Sequence, residues 1–280
     1  MILIADGGST KIEWQAVDGG LPVKKILTQG LNPVMLSRDE MYETMDGELR
    51  PAIEDIKIDR VYYYGAGCFN DETCRRMARV ITQIVGPQAE VSVNSDLLGA
   101  ARALCGDRPG LACIMGTGSN SCYFNGERII DNVSPLGFIL GDEGSGAVLG
   151  RELIGALIKN RLPKHLRNEF FDYYQLDLPE IINRVYRNPT PNRFLASFTP
   201  FILARIGEPG LRDLVFDQFV KFFERNVANY SYTGLRTVNF TGSIAWHFRE
   251  ILAAAAESTG YETGIITASP MTGLVEFHSR

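Results

Sequence analysis

Asp6-Gly7-Gly8-Ser9-Thr10-Lys11 and Gly116-Thr117-Gly118-Ser119-Asn120 are two versions of one glycine-hydroxyl turn, each set inside a hairpin pattern. Apolar runs at 1–5 and 12–17 flank the first, and runs at 111–115 and 121–124 flank the second. Short apolar runs on both sides of a glycine turn predict strand, turn and strand. A second turn signal follows each hairpin, Asp18-Gly19 and Asn125-Gly126, so the likeness covers a whole supersecondary unit. A chain with this unit twice is expected to use one architecture twice. Glycine lets the backbone come close to a ligand and present N–H groups to anionic oxygens, and Ser9, Thr10, Thr117 and Ser119 add hydroxyls. Together the turns suit a phosphate chain; either alone is equally well an ordinary tight hairpin.

With 280 residues, 45% of them hydrophobic, the chain has ample material for one large or two modest domains. A net charge of -5 argues against a general nucleic-acid or membrane-surface binder, which would carry a clustered basic face. No apolar stretch approaches the roughly 18 residues of a membrane span, and the first residues run straight into a strand, so a cytoplasmic protein is expected. The five cysteines form no C-x-x-C pair and read as reduced, structural thiols. The three histidines have no paired spacing, so no protein-built zinc site is expected.

Between the hairpins, 60–64 reads as a strand ending at Gly65-Ala66-Gly67, 71–85 as a helix, 90–93 as a strand ending at Asn94-Ser95-Asp96, and 97–104 as a helix. Asp107-Arg108-Pro109-Gly110 breaks the pattern and marks the expected domain boundary. Further on, Gly141-Asp142-Glu143-Gly144-Ser145-Gly146 opens a helix running to residue 158. Helices are expected over 170–187 and 211–230, separated by a segment holding Pro189, Pro191, Pro200 and Pro209. A strand at 238–241 ends at Gly242-Ser243, a helix follows to 258, and 265–267 is the last strand. Hairpins followed by strands alternating with helices predict an α/β fold with mixed sheets, whose glycine- and acid-rich loops gather in one crevice.

In order along the chain, Asp6-Gly7-Gly8-Ser9-Thr10-Lys11, Asp96 before a helix, Gly116-Thr117-Gly118-Ser119-Asn120, Gly141-Asp142-Glu143-Gly144-Ser145 and Gly242-Ser243 resemble the N-acetylglucosamine kinase branch of the BadF/BadG/BcrA/BcrD-type ATPases. These belong to the superfamily of sugar kinases, heat-shock chaperones and actin. The resemblance implies two ribonuclease H-like domains flanking an ATP cleft, at 1–107 (completed by a C-terminal helix at 270–280) and 108–269 (with a helical insertion). It implies an ATP-dependent kinase for the 6-hydroxyl of an amino sugar, N-acetylglucosamine first, acting as a homodimer with Mg²⁺.

Phosphoryl transfer needs in-line positioning, neutralised phosphate charge, a metal ion and an acceptor for the hydroxyl proton. By resemblance Asp96 is the base; an aspartate of ordinary pKa is already ionised at neutral pH, although Asp before Leu97 also reads as a helix N-cap. Asp6 is the carboxylate expected near Mg²⁺, through water, or else a turn cap. ATP contacts are expected at Gly8, Ser9, Thr10, Lys11, Gly116, Thr117, Gly118, Gly242 and Ser243, although Lys11 also reads as an exposed strand lysine and Ser243 as a helix cap. Trp246 could stack on adenine but reads better as core. Sugar contacts are expected at Asn32, Gly65, Asp96, Ser119, Leu136, Gly137 and Asp142. Asn32 before Pro33 is also turn chemistry, and Asp142-Glu143 also suits a helix N-terminus.

Where animal N-acetylglucosamine kinases have Gly-Trp-Gly, this chain has Pro135-Leu136-Gly137 and lacks an aromatic wall, which leaves glucosamine and N-acetylmuramic acid open as substrates. Two other roles remain open: an activator ATPase with an iron-sulfur cluster, which the absence of paired cysteine spacing counts against, and a nucleotide-binding regulator.

Overall fold

The computed structural model describes residues 1–8 and 10–280, so the expected ATP contact Ser9 lies outside the described residues. Its first sheet holds β1 (Ile2–Gly7), β2 (Lys11–Asp18), β3 (Leu21–Gln29), β4 (Arg60–Gly65) and β5 (Glu90–Ser95), in the order β3-β2-β1-β4-β5. The hairpin partners β1, β2 and β3 pair antiparallel, while β4 and β5 add parallel to β1. The second sheet holds β6 (Pro109–Met115), β7 (Ser119–Asn125), β8 (Ile129–Asp131), β9 (Thr237–Thr241) and β10 (Glu262–Thr267), in the order β10-β9-β6-β7-β8. With β6 in the place of β1 this is the same strand order and the same pattern of parallel and antiparallel pairs. The two turns picked out in the sequence occupy the same topological position, between the first and second strand of each sheet.

The chain forms two compact units. One comprises Met1–Arg108, Gly126–Arg128 and Ser269–Arg280, the other Pro109–Asn125 and Ile129–Ala268. In the first unit the strands bury both faces, because successive side chains point to opposite sides. Leu3, Ala5, Trp14 and Tyr63 pack on one face with Met77 and Ile81 of the helix Asp71–Val85. Ile4, Val17 and Tyr64 pack on the other face with Met271, Leu274 and Val275 of the helix Met271–His278. That last helix is locked by its final turn, where the His278 ring stacks 3.7 Å from Tyr62 and its Nε2 meets Tyr64 Oη at 2.9 Å. Burial, with the nearby Arg102, pushes the His278 imidazole down to about 4, so it sits there neutral.

In the second unit a core rich in phenylalanine, including Phe170, Phe198, Phe219 and Phe223, joins the sheet to the helices that follow it. Here several helices expected from periodicity are broken. The run at 170–187 is two helices, Lys164–Tyr174 and Leu178–Tyr186; Gln175 between them adopts φ 49°, and Asp177 caps the second by accepting the Glu180 N–H at 2.8 Å. The run at 211–230 ends as an α-helix at Arg225 and continues as the 3₁₀ turn Val227–Thr233. The proline segment is itself helical, in Pro191–Ala196 and Thr199–Ala204, since proline is tolerated in a first turn where its missing N–H has no partner to lose. The helix after β9 breaks at Phe248 into Ser243–His247 and Arg249–Ser258. The helix Arg38–Glu48, absent from the sequence expectations, starts with a capping box of Ser37 and Glu40.

Among the described residues no helix is long and apolar enough to cross a membrane, and no disulfide forms.

Candidate functional site

Strand register assembles the first half-site. β1, β4 and β5 run parallel with Gly7 opposite Gly65 and Gly65 opposite Ser95, so Asp6-Gly7-Gly8, Gly65 and Asp96 share one end of the sheet. Loops at the carboxyl ends of parallel strands are where α/β sheets bind ligands. Ser95, not Asp96, caps the helix Asp96–Cys105, accepting the Leu98 N–H at 3.2 Å. The capping duty considered for Asp96 is therefore already discharged. Asp96 occupies the first helical position, where one carboxylate oxygen accepts the Leu97 N–H at 2.9 Å.

Asp96 is not the ordinary carboxylate the sequence suggested. Burial pushes its pKa upward, and hydrogen bonds from the Leu97 and Asp96 backbones only partly offset this. Asp6 is pushed up to about 7, first by burial and then by the negative charges of Asp96 and Glu13, with Lys11 pulling the other way. A site where two acids repel each other favours a cation. No group of three or more His, Cys, Asp or Glu side chains among the described residues could hold a metal. A cation at this end of the sheet would meet Asp6 as its nearest crowded carboxylate, with Asp96 and Glu13 adding negative charge around it.

Gly8, Thr10 and Lys11 are exposed at the turn, open to an anionic ligand. Asn32 is partly committed: its Oδ1 accepts the Val34 N–H at 2.9 Å, the turn chemistry its proline neighbour suggested, which leaves the amide nitrogen to a ligand. Gly65 and Gly7 are required by a side chain the sequence reading missed. The Tyr63 ring lies where a Cβ at Gly65 would stand, and its Oη would come within 2.5 Å of a Cβ at Gly7. Glycine inside a strand signals such close approach. Tyr63 is fully buried and its hydroxyl meets no hydrogen-bond partner from the protein.

In the second unit the turn Gly116-Thr117-Gly118 is fastened to the helix Gly146–Ile158. The Gly146 and Ala147 N–H groups donate to the Gly116 and Thr117 carbonyls at 2.8 and 3.1 Å, and Ser145 Oγ caps the Val148 N–H. The helix start is thus spent on holding the turn. Asp142, at φ 54°, accepts the Ser119 N–H, and its carboxylate stands 3.1 Å from where a Cβ of Gly118 would be. Burial raises Asp142 to about 6, with the adjacent Glu143 adding to the effect. Glu143 turns inward to Arg225 Nη1 and Asn226 Nδ2 at 3.1 and 3.2 Å, and its backbone carbonyl accepts the Ser119 hydroxyl at 2.9 Å. Asp142 and the second turn therefore form one rigid block.

Leu136 is 61% exposed at φ 61°, and Gly137 beside it has open space where a side chain would be. Gly242, at φ 122°, lies so tightly against the Met115 backbone that no other residue fits; it, not Ser243, is the cap position, and no side chain caps that helix. Trp246 is partly exposed under the Arg249 guanidinium rather than in the core.

No family model matches the chain, and no curated protein matches it. Among solved structures it is similar to two proteins described as putative N-acetylglucosamine kinases. With the one from Porphyromonas gingivalis it shares 45% identity over 100% of this chain and 99% of the other, at a TM-score of 0.97. With the one from Chromobacterium violaceum it shares 17% identity over 99% and 98%, at 0.72. A ROK family glucokinase from Streptomyces griseus, in complex with glucose and AMPPNP, matches at 16% identity over 98% and 97%, with a TM-score of 0.59. The last two are likenesses of fold.

Proposed function

The chain belongs to the N-acetylglucosamine kinase family, and from that premise we propose that it transfers the γ-phosphoryl group of ATP to the 6-hydroxyl of an amino sugar, N-acetylglucosamine first. The observation that carries this reading is the strand register that gathers Asp6, the first turn, Gly65 and Asp96 at one sheet end. In the proposed reaction Asp96 accepts the proton of the sugar hydroxyl as its oxygen bonds to the γ-phosphorus and ADP departs. A base whose pKa burial has raised holds that proton more readily than an ordinary aspartate.

Gly8, Thr10 and Lys11 of the first unit and Gly116, Thr117, Gly118, Gly242 and Ser243 of the second are the proposed nucleotide contacts; the exposed first turn and the half-buried second turn, each with backbone N–H and hydroxyl groups, support this. Mg²⁺ would screen phosphate charge and Asp6 would hold it through water. Asn32, Gly65, Ser119, Leu136, Gly137 and Asp142 are the proposed sugar contacts. A homodimeric and cytoplasmic setting enters the reading through the family resemblance.

Asn32→Ala should raise the KM for the sugar about tenfold, because a lost amide leaves a sugar hydroxyl unpaired, while the KM for ATP stays within twofold. Steady-state kinetics with each substrate varied in turn checks this. The open space at Leu136 and Gly137 favours a second reading, in which the site admits a bulkier sugar such as N-acetylmuramic acid. Coupled ADP release across N-acetylglucosamine, glucosamine, N-acetylmuramic acid and glucose decides between them. The first reading expects the highest kcat/KM with N-acetylglucosamine; no turnover with any amino sugar would reject both.

A further inference from the structure

The loop that carries Asn32 is tied down at both ends. The Gly30 N–H donates to the Thr10 carbonyl at 3.0 Å, and Ser37 begins the next helix with its capping box. Leu31 and Pro33 are buried between these points, whereas Val34 and Met35 stand 52% and 69% exposed, so the apex of the loop gains little from packing. Its hold comes from a side chain outside the loop. Arg76, half-buried on the helix Asp71–Val85, donates through Nη1 to the Pro33 carbonyl at 2.7 Å and through Nη2 to the Leu36 carbonyl at 2.8 Å. Both bonds are charge-assisted, and the planar fork fixes the two carbonyls relative to each other.

The Pro33 carbonyl belongs to the same planar peptide as the Val34 N–H, and that N–H is the donor that holds Asn32 Oδ1 at 2.9 Å. Arg76 therefore acts on Asn32 through one rigid unit: a bond to the peptide oxygen orients the N–H and polarises it into a better donor. Gly67, at φ 83°, leaves room for the amide, since a Cβ there would stand 2.2 Å from Asn32 Oδ1. Gly67 follows Ala66, whose N–H donates to the Gly7 carbonyl at 2.8 Å, so the Asn32 amide lies beside the sheet end that carries Gly7 and Gly65. With Oδ1 held by Val34 and closed in by Gly67, the amide nitrogen is the end left to a ligand, as a donor. We propose that Arg76 is a positioning residue for the sugar site, holding the 33–34 peptide so that Asn32 offers its Nδ2 donors to a sugar oxygen. This deepens the kinase reading and rests on Asn32 being a sugar contact within it.

A double-mutant cycle of Asn32→Ala and Arg76→Ala in the full chain tests this. Arg76→Ala alone should raise the KM for N-acetylglucosamine about fivefold, with kcat and the KM for ATP within about twofold, because a freed loop weakens only the sugar contact. In the Asn32→Ala background the same substitution should change the sugar KM by less than about twofold, since no amide is left to position. An arginine that only stabilised the fold would lower the Tm and leave the sugar KM alone. Should Arg76→Ala not fold, Arg76→Lys, which keeps the charge without the fork, carries the cycle with an expected rise of at least about twofold in sugar KM. The proposal is overturned by a sugar KM that stays within about twofold of the parent, by an equal rise in the ATP KM, or by an undiminished effect in the Asn32→Ala background. If Asn32→Ala itself leaves the sugar KM unchanged, the place of Asn32 in the sugar site falls and this proposal with it. A parent that turns over no amino sugar rejects the kinase reading and this proposal together.

Discussion

Asp96→Asn should lower kcat about a thousandfold while ATP binding, measured by calorimetry, stays within threefold of the parent. Asparagine keeps the side-chain shape and can still accept the Leu97 N–H through its amide oxygen, and Ser95 still caps the helix, so the fold loses nothing at this position. What disappears is the proton acceptor. The separation of binding from turnover is the signature of an interaction made chiefly in the transition state. It also separates a kinase from a nucleotide-binding regulator, which would show no sugar-dependent turnover to lose. Turnover within tenfold of the parent would remove Asp96 from the mechanism.

Asp6→Asn is expected to move activity and stability in opposite directions. Activity should fall about a hundredfold, since a neutral amide attracts a hydrated cation poorly. The folded chain raises the Asp6 pKa from 3.8 to about 7, so between those values the folded state holds a proton that the unfolded state has released. Stability on this account is full below about pH 4 and is lost as pH rises towards 7. Asparagine has no proton to lose. The variant should match the parent near pH 4 and exceed it at pH 8 by on the order of 1–2 kcal/mol, a rise of roughly 3–5 °C in the Tm of the metal-free protein. Thermal unfolding from pH 4 to 8 checks this; a variant less stable at pH 8 would show that Asp6 supports the fold.

The strands and turns were legible because they depend on local chemistry. Two glycine-hydroxyl turns between apolar runs became hairpins in equivalent places of two sheets, and the helix Asp71–Val85 has the bounds its periodicity suggested. The long helical runs were misjudged where one left-handed residue, Gln175, interrupts an otherwise continuous apolar period. Asp177 followed by Pro179 carried the missing signal, a cap and a first-turn proline. The ionisation of Asp6 and Asp96 was out of reach, since burial and the approach of one acid to another are tertiary facts. Tyr63 was hidden for the same reason: an aromatic in an apolar strand looks like ordinary core until the register sets Gly7 beside Gly65 and exposes what the phenol reaches.

The helix Met271–His278 completes the face of the first sheet formed by Ile4, Val17 and Tyr64. During synthesis, residues 109–268 leave the ribosome before that helix does, so the later-made unit can reach its final packing ahead of the earlier-made one. Until residue 275 emerges, the nascent first sheet has this side covered only by the helix Asp96–Cys105 and keeps the rest of it greasy and bare, the kind of surface that holdase chaperones clasp.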